Sequence, residues 1–268
     1  MMNRAPFFTR GFSFFLLAIV LSGCHTVPET GRRAFTLLSV QDEITLGAEA
    51  FAEIKEAEKI STDEEKNAML QRVGERIARV AEVDMPQAEW EFVLFENDMV
   101  NAFALPGGRI GFYTGMWKVA DDEDDIAVIM GHEIAHVTAR HGAERLSQSL
   151  AIMAVGIGVQ QAVRNRSEET QMAVMLAYGA GATLGLQLPH SRRNESEADE
   201  IGLYYMARAG YDPRVAPRFW EKMEAHASGG SPPEFLSTHP SHGRRVQDLE
   251  RAMPRALEYY RAAVGPSD

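Results

Sequence analysis

Apolar residues recur at helical spacing over two long stretches near the start of the chain, residues 41–59 and residues 64–83. In the first stretch Ile44, Ala48 and Phe51 lie three or four positions apart, which places them on one face of an α-helix. Both stretches are therefore predicted to form amphipathic helices.

A small sheet is predicted to follow these two helices. Residues 89–96 are rich in aromatic and β-branched side chains, as strands commonly are. Residues 101–104 then lead into the turn-forming sequence Pro-Gly-Gly at 106–108, and residues 109–114 are predicted to be the returning strand. This order predicts a small antiparallel sheet.

Five consecutive acidic residues, 121–125, directly precede an apolar run that is predicted to be helical. A cation site is one interpretation of this cluster. The other, which we favour, is helix capping, because the exposed amide groups at a helix N-terminus stabilise carboxylates by roughly 0.3–1 kcal/mol each. The helix is predicted to run to about residue 140 or 141 and to end at Gly142.

Two apolar stretches rich in Ala, Gly and Met follow, at residues 149–163 and 172–188, and no charged residue lies between Thr170 and Ser191. Their length makes them candidates for crossing a membrane. Gln171 and several glycines dilute the hydrophobicity, so we favour amphipathic helices packed beside the motif-bearing helix described below. The alternative is a hairpin that dips into a bilayer.

Composition and charge narrow the class of protein. The chain has 268 residues, of which 45% are hydrophobic and 24% charged, as in an ordinary globular protein with one compact domain. Its formal net charge of −11 argues against a nucleic-acid partner, which would require clustered Lys and Arg. The single cysteine excludes an intramolecular disulfide, and a metal site would have to use His, Asp or Glu.

The N-terminus has the pattern of an export signal. Arg4 and Arg10 precede an apolar run at residues 12–21 that is too short to span about 30 Å of hydrocarbon. Leu-Ser-Gly-Cys at 21–24 resembles a bacterial lipobox, in which Cys24 is acylated. The alternative is an uncleaved anchor with an incidental cysteine.

These observations predict three segments of the chain. Residues 1–23 would be a lipoprotein signal peptide, residues 24–36 a lipid-anchored tether, and residues 37–268 the folded domain. His25 follows the acylated cysteine, whereas an Asp would favour retention at the inner membrane, so the resemblance points to the outer membrane.

The predicted helix after the acidic cluster contains His-Glu-Ile-Ala-His at 132–136. Zinc hydrolases need three protein ligands, an open position for water and a base. On a helix His132 and His136 project from one face and can bind a single ion, while Glu133 can reach the water as general base. The alternative is a pair of structural histidines. The long, capped, apolar helix around the motif argues against it.

A third ligand is needed, and residues 194–199 of a helix predicted over 191–208 offer three carboxylates. Glu195 and Asp199 lie four positions apart and share a helix face, whereas Glu197 points elsewhere. The spacing alone does not choose between Glu195 and Asp199.

Residues 131–137 and 195–199 together resemble the two motifs of the zinc endopeptidases that include CAAX prenyl protease, the HtpX membrane protease and bacterial outer-membrane quality-control lipoproteins. The resemblance implies an α+β, helix-rich, zincin-type fold with a small antiparallel sheet and one zinc ion per chain. It also implies that Glu195 is the third ligand and that Asp199 orients a ligand histidine.

The resemblance extends to further positions with less definite roles. His239 would either move onto the zinc and hold the enzyme latent or be an ordinary loop histidine, and His141 is expected to be structural. Arg245 would either stabilise the oxyanion of the tetrahedral intermediate or form a plain salt bridge. The substrate is expected to bind as an extended strand along a sheet edge formed by Asn101, Ala102, Phe103 and Ala104.

The sequence therefore predicts a zinc metalloendopeptidase, lipid-anchored at the periplasmic face of the bacterial outer membrane, that hydrolyses misfolded or misassembled envelope proteins. One alternative is a non-proteolytic, chaperone-like assembly factor with a structural or blocked zinc. Another is an integral membrane protease that uses residues 149–188 as a hairpin in the bilayer.

Overall fold

The structure is a computed structural model that describes residues 24–228, 233–240 and 243–265. The predicted signal peptide, residues 1–23, lies outside this described part. The strands are β1 (Cys24–Thr26), β2 (Arg33–Phe35), β3 (Glu91–Phe95), β4 (Ala102–Leu105) and β5 (Arg109–Tyr113). The helices are α1 (Val40–Ala57), α2 (Glu64–Ala81), α3 (Glu123–Thr138), α4 (His141–Val163), α5 (Glu168–Ala182), α6 (Leu188–Arg208), α7 (Val215–Ser228), α8 (Glu234–Thr238) and α9 (Arg245–Val264).

This architecture confirms the helix-rich α+β fold expected from the sequence. Helices α1 and α2 begin and end within two residues of the predicted bounds, because their apolar faces are regular and Ser39 and Asp63 cap their first turns. A 3-10 turn (Thr114–Lys118) precedes α3, and a π-helical turn (Thr183–Gln187) joins α5 to α6.

Helix α3 lies at the centre of the molecule and is buried over nearly its whole length. It packs against α2, α6 and α7. The closest approach is to α6, at a glycine on each helix. A Cβ atom on Gly131 would lie 2.7 Å from the carbonyl oxygen of Gly202, so only two glycines allow the backbones to come this close. The separation of α3 and α6 is therefore set by glycine.

The prediction for the N-terminus of α3 was confirmed, whereas the prediction for its C-terminus was wrong. At its N-terminus the acidic cluster caps the helix as predicted, because the Asp122 side chain accepts a hydrogen bond from the Asp125 amide. At its C-terminus the prediction was wrong, since α3 ends at Thr138 and Gly142 lies inside α4. Arg140 makes the break with a φ of 58°, and its guanidinium is held by the buried Glu43 carboxylate.

The three-stranded sheet is mixed, which corrects the antiparallel sheet expected from the sequence. Strand β5 lies in the centre, paired antiparallel with β4 and parallel with β3. The tight turn at residues 106–108 joins β4 to β5, and β3 pairs with the other side of β5. Strand β4 is consequently an edge strand.

Residues 24–36, which were expected to be a tether, form two paired strands in the structure. Strands β1 and β2 pair antiparallel, with Cys24 opposite Phe35. Between them the chain turns at Glu29, whose φ is 61°, and Val27 is fully buried in the main core. We call residues 24–36 the N-terminal hairpin. It is stabilised by contacts with α4 and α6, more than 100 residues away in sequence.

Helices α4 and α5 project from the body of the protein as a second hairpin, which corrects the packing that we favoured. They are helical as predicted, but they pack mainly on each other. Helix α4 and the continuous α5–α6 segment are each long and apolar enough to cross a membrane, and only 11% and 6% of their most apolar windows are buried. Helix α5 has no polar face along most of its length, so it is not amphipathic.

Candidate metal centre

Three predicted ligands converge at the contact between α3 and α6. His132 Nε2 lies 3.0 Å from His136 Nε2 and 3.3 Å from Glu195 Oε2. All three side chains are buried. The ligand atoms therefore face one common point, as the motif spacing predicted, and Glu195 is the carboxylate that reaches it.

Glu133 occupies the position expected for a base. It is fully buried, and neither carboxylate oxygen has a hydrogen-bond partner among the described residues. Burial raises the pKa of Glu133. A raised pKa makes this carboxylate a stronger proton acceptor. His239 Nε2 lies 3.5 Å from Glu133 Oε1.

The electrostatics of Glu195 and His136 suit a bound cation. Burial would raise the pKa of Glu195, but the surrounding histidines lower it well below its usual value. Burial lowers the pKa of His136 well below its usual value. For His132, burial also acts to lower the pKa, yet hydrogen bonds to Asp199 and Glu195 raise it to about 9. The cluster thus holds an anionic Glu195 beside a neutral His136 and a protonated His132, whose extra proton a bound cation would replace.

Asp199 and Arg245 lie behind the ligands rather than in the cleft. Asp199 Oδ1 contacts His132 Nδ1 at 2.9 Å, which is the orienting contact implied by the resemblance. Arg245 Nε donates to Asp199 Oδ2 at 2.7 Å, and its guanidinium stacks over Trp220. Because the Arg245 side chain is buried against these groups, an oxyanion role does not fit this geometry, whereas the salt-bridge alternative does.

Two buried residues support His136, and the sequence analysis missed both roles. His141 Nδ1 lies 2.8 Å from His136 Nδ1, and His141 Nε2 lies 3.0 Å from Glu197 Oε2. His141 was expected to be merely structural and Glu197 to point elsewhere. The five-residue step from His136 to His141 crosses the break at Arg140, which turns the two rings toward each other. A helix predicted to continue through residue 140 gives no signal of this contact.

His239, the residue directly after α8, joins the cluster. Its Nδ1 lies 3.2 Å from His132 Nε2 and 3.1 Å from Glu195 Oε2. The ring stacks on Phe235. One ligand atom from each of four residues falls within 4.8 Å of the others, in the set His132, His136, Glu195 and His239.

A cleft of about 330 Å³ opens beside Glu133 and His136. One wall is the edge strand β4 with the preceding Asn101, which brings all four predicted substrate-binding residues to this side of the molecule. Ala102 is fully buried against the core, while Phe103 packs in an aromatic cluster with Phe95. The opposite wall includes the exposed Arg145, which the sequence analysis did not single out.

Comparison with known proteins finds relatives of two kinds, mitochondrial metalloendopeptidases and a bacterial beta-barrel assembly-enhancing protease. The chain is 33% identical over 235 residues to the mitochondrial metalloendopeptidase OMA1 of Schizosaccharomyces pombe, covering 86% of this chain and 66% of that protein. It is 31% identical over 227 residues to the beta-barrel assembly-enhancing protease of Escherichia coli, covering 83% of this chain and 46% of that protein. Human OMA1 is 33% identical over 276 residues, with 51% of its length covered. The chain thus spans about half to two thirds of these relatives.

Residues 64–253 match the sequence profile of Peptidase family M48. The matched region contains α2, the mixed sheet, both motif helices and His239, and it makes up most of the chain. This match confirms the resemblance that the two motifs indicated. The chain belongs to peptidase family M48, whose members are zinc metalloproteases.

Proposed function

We propose that this protein is a zinc-dependent metalloendopeptidase. The observation that carries the proposal is the convergence of His132, His136 and Glu195 in a buried cluster, with Glu133 beside it at the end of an open cleft. A structural metal site would not need an unpartnered carboxylate facing a cleft. A hydrolase would need one.

The donor set fits one zinc ion per chain. Two imidazoles and a carboxylate are a common set for catalytic zinc, and Glu195 Oε1 has no hydrogen-bond partner among the described residues. His132, His136 and Glu195 would hold the ion. When bound, zinc polarises a peptide carbonyl and lowers the pKa of water.

The residues of the chain divide the remaining work. Glu133 would accept a proton at its carboxylate oxygen from the attacking water and return it to the leaving amine nitrogen. Asp199 would accept the Nδ1 proton of His132 and so keep the Nε2 lone pair directed at the cluster. Arg245 would hold Asp199 in place from behind.

The edge strand β4 supports an extended peptide as substrate. Its outer side has no neighbouring strand among the described residues and faces the cleft, so a peptide can add to the sheet there. Residues Asn101 to Ala104 would then run beside the substrate backbone. Backbone pairing does not depend on the side chains of the substrate, but it requires an extended chain. This mode of binding therefore suits unfolded or misassembled proteins.

His239 is proposed to hold the resting site closed. Its contacts with His132 and Glu195 support this role, because a fourth donor beside the three ligands would take the position that a water needs for hydrolysis. A tight His239 contact is also what supports the second candidate function, a non-proteolytic or latent assembly factor. The two functions differ in whether α8 moves away.

Cleavage of casein by the purified protein tests this proposal. We expect slow proteolysis that stops with a zinc chelator and returns with added zinc, and faster proteolysis by His239→Ala. Zinc content of about one ion per chain should accompany both. If neither protein cuts although both bind zinc, the metalloendopeptidase proposal fails and the assembly factor is favoured. If neither binds zinc, both proposals fail.

We further propose that the protein works in the bacterial cell envelope, lipid-anchored at Cys24 on the periplasmic face of the outer membrane, with misassembled envelope proteins as substrates. The lipobox sequence and the name of the E. coli relative support this location, whereas the OMA1 relatives carry mitochondrial names. Cys24 is exposed. Directly after the N-terminal hairpin, Leu37 donates its amide to Ser147 Oγ near the start of α4.

The α4–α5 hairpin is proposed to add a second membrane contact, because its exposed side chains are apolar. We expect the Cys24→Ser protein that lacks residues 1–23 to float with phosphatidylethanolamine–phosphatidylglycerol vesicles. Ile157→Glu/Leu176→Glu in the same protein should lower partitioning at least about tenfold, since each buried charge costs about 2.5–3.5 kcal/mol. Val83→Glu is the control, because Val83 is 79% exposed on a different part of the surface. Cys24→Ser protein that stays unbound would contradict this contact.

A further inference from the structure

The two ligand histidines differ in what lies behind their rings. His132 Nδ1 contacts a carboxylate directly, whereas His136 Nδ1 contacts a second imidazole, that of His141, at 2.8 Å. Two nitrogens at this distance share one proton, so one ring donates and the other accepts. The direction of this hydrogen bond decides which nitrogen of His136 can face a cation.

Glu197 sets that direction. A carboxylate only accepts, and Glu197 Oε2 lies 3.0 Å from His141 Nε2, so this nitrogen carries the proton of a neutral His141. His141 Nδ1 is then an acceptor, and His136 Nδ1 donates to it. The Nε2 lone pair of His136 is left facing the cluster, 3.0 Å from His132 Nε2.

The N-terminal hairpin holds Glu197 in turn. Arg32 Nε donates to Glu197 Oε2 at 2.8 Å, and Thr30 Oγ1 donates to Glu197 Oε1 at 2.5 Å. The other nitrogens of Arg32 donate to both oxygens of Glu144 on α4, at 2.9 and 3.0 Å. The side chains of Glu144 and Glu197 are only 5% and 6% exposed, so water screens these contacts little.

We infer that the N-terminal hairpin is part of the metal centre, because through Arg32, Glu197 and His141 it fixes the ring orientation and tautomer of His136. These three are positioning residues, since none lines the cleft. The inference rests on the proposed zinc function. Zinc retention would then depend on Arg32, which lies 165 residues from Glu197 in sequence and shortly after the proposed anchor, Cys24.

The test compares zinc affinity among variants of the full chain purified in detergent. His141→Leu and Glu197→Leu are expected to weaken zinc binding about 10–100-fold, measured by competition with a chromophoric chelator. Glu197→Gln keeps an acceptor oxygen and should stay close to wild type. Arg32→Gln should fall between them, while Arg33→Gln, which changes an exposed arginine of the same hairpin, should have no effect.

Two further readouts separate positioning from a general loss of stability. The visible spectrum of the cobalt-substituted protein should change in His141→Leu and Glu197→Leu but not in Glu197→Gln or Arg33→Gln. The rise in melting temperature on adding zinc should shrink in the same two variants, whatever happens to the apo protein. If either leucine variant fails to fold, the zinc affinities of Arg32→Gln and Arg33→Gln are compared instead, and the inference requires weaker binding by Arg32→Gln.

The outcomes distinguish this inference from the function beneath it. Wild-type protein that binds one zinc and cuts casein, with leucine variants that match it in zinc affinity and cobalt spectrum, would overturn only the inference. Equal losses in Glu197→Gln and Glu197→Leu would also overturn it, because the acceptor oxygen would then be irrelevant. Wild-type protein without zinc would overturn the proposed function together with the inference.

Discussion

Glu133→Gln is expected to lower casein cleavage by about 10²–10⁴-fold while zinc content stays near one ion per chain. The amide has the same size as the carboxylate, so the buried position on α3 is kept, but it cannot accept a proton. Glu133 is not among the four residues whose ligand atoms cluster, so zinc binding should survive. Initial rates of cleavage and atomic absorption of the same samples measure the two quantities.

Glu123→Gln is the matched control for this prediction. Glu123 is on the first turn of the same helix and pairs at the surface with Arg72, far from the cluster. It should cleave casein at close to the wild-type rate. A Glu133→Gln protein as active as Glu123→Gln would remove the assigned base, and one that lost its zinc would show Glu133 to be a ligand.

Arg245→Met is expected to destabilise the metal-free protein by about 3–5 kcal/mol. The change keeps the length of the side chain but leaves two buried carboxylates, Asp199 and Glu195, without the Arg245 guanidinium. Added zinc should recover part of the loss, because it would pair with Glu195. Urea unfolding with chelator and with zinc gives both values.

Arg251→Met on the same helix provides the comparison, since Arg251 is 74% exposed and its pairing with Asp248 is a surface contact. Its unfolding midpoint should stay close to that of the wild type. If Arg245→Met proved equally mild while activity collapsed, the oxyanion role considered from the sequence would regain support over the salt bridge.

Features encoded by neighbouring residues were predictable from the sequence. The helical periodicity around Ile44 and Phe51 gave the bounds of α1, and the spacing of His132 and His136 gave two convergent imidazoles. Placing the glutamate of the second motif on the same point required the family resemblance, because Glu195 and Asp199 share a helix face and both lie in the cluster region.

Features that depend on distant pairing were not predictable. The left-handed conformation of Arg140 is stabilised by Glu43, 97 residues away in sequence, and it ended α3 before the expected glycine. The N-terminal hairpin looked like a tether because its Pro, Gly and basic residues lack a hydrophobic period. Arg32 instead finds buried carboxylates on α4 and α6, which no local pattern describes.

The contact between Gly131 and Gly202 makes the metal centre sensitive to substitution at two positions that supply no metal ligand. Both donor-bearing helices rest on each other through bare backbone at this point, one position before His132. A methyl group at either glycine would push whole helices apart, and every donor on α6 would shift with its helix relative to those on α3. Substitution of either glycine is therefore expected to abolish activity as completely as loss of a ligand histidine.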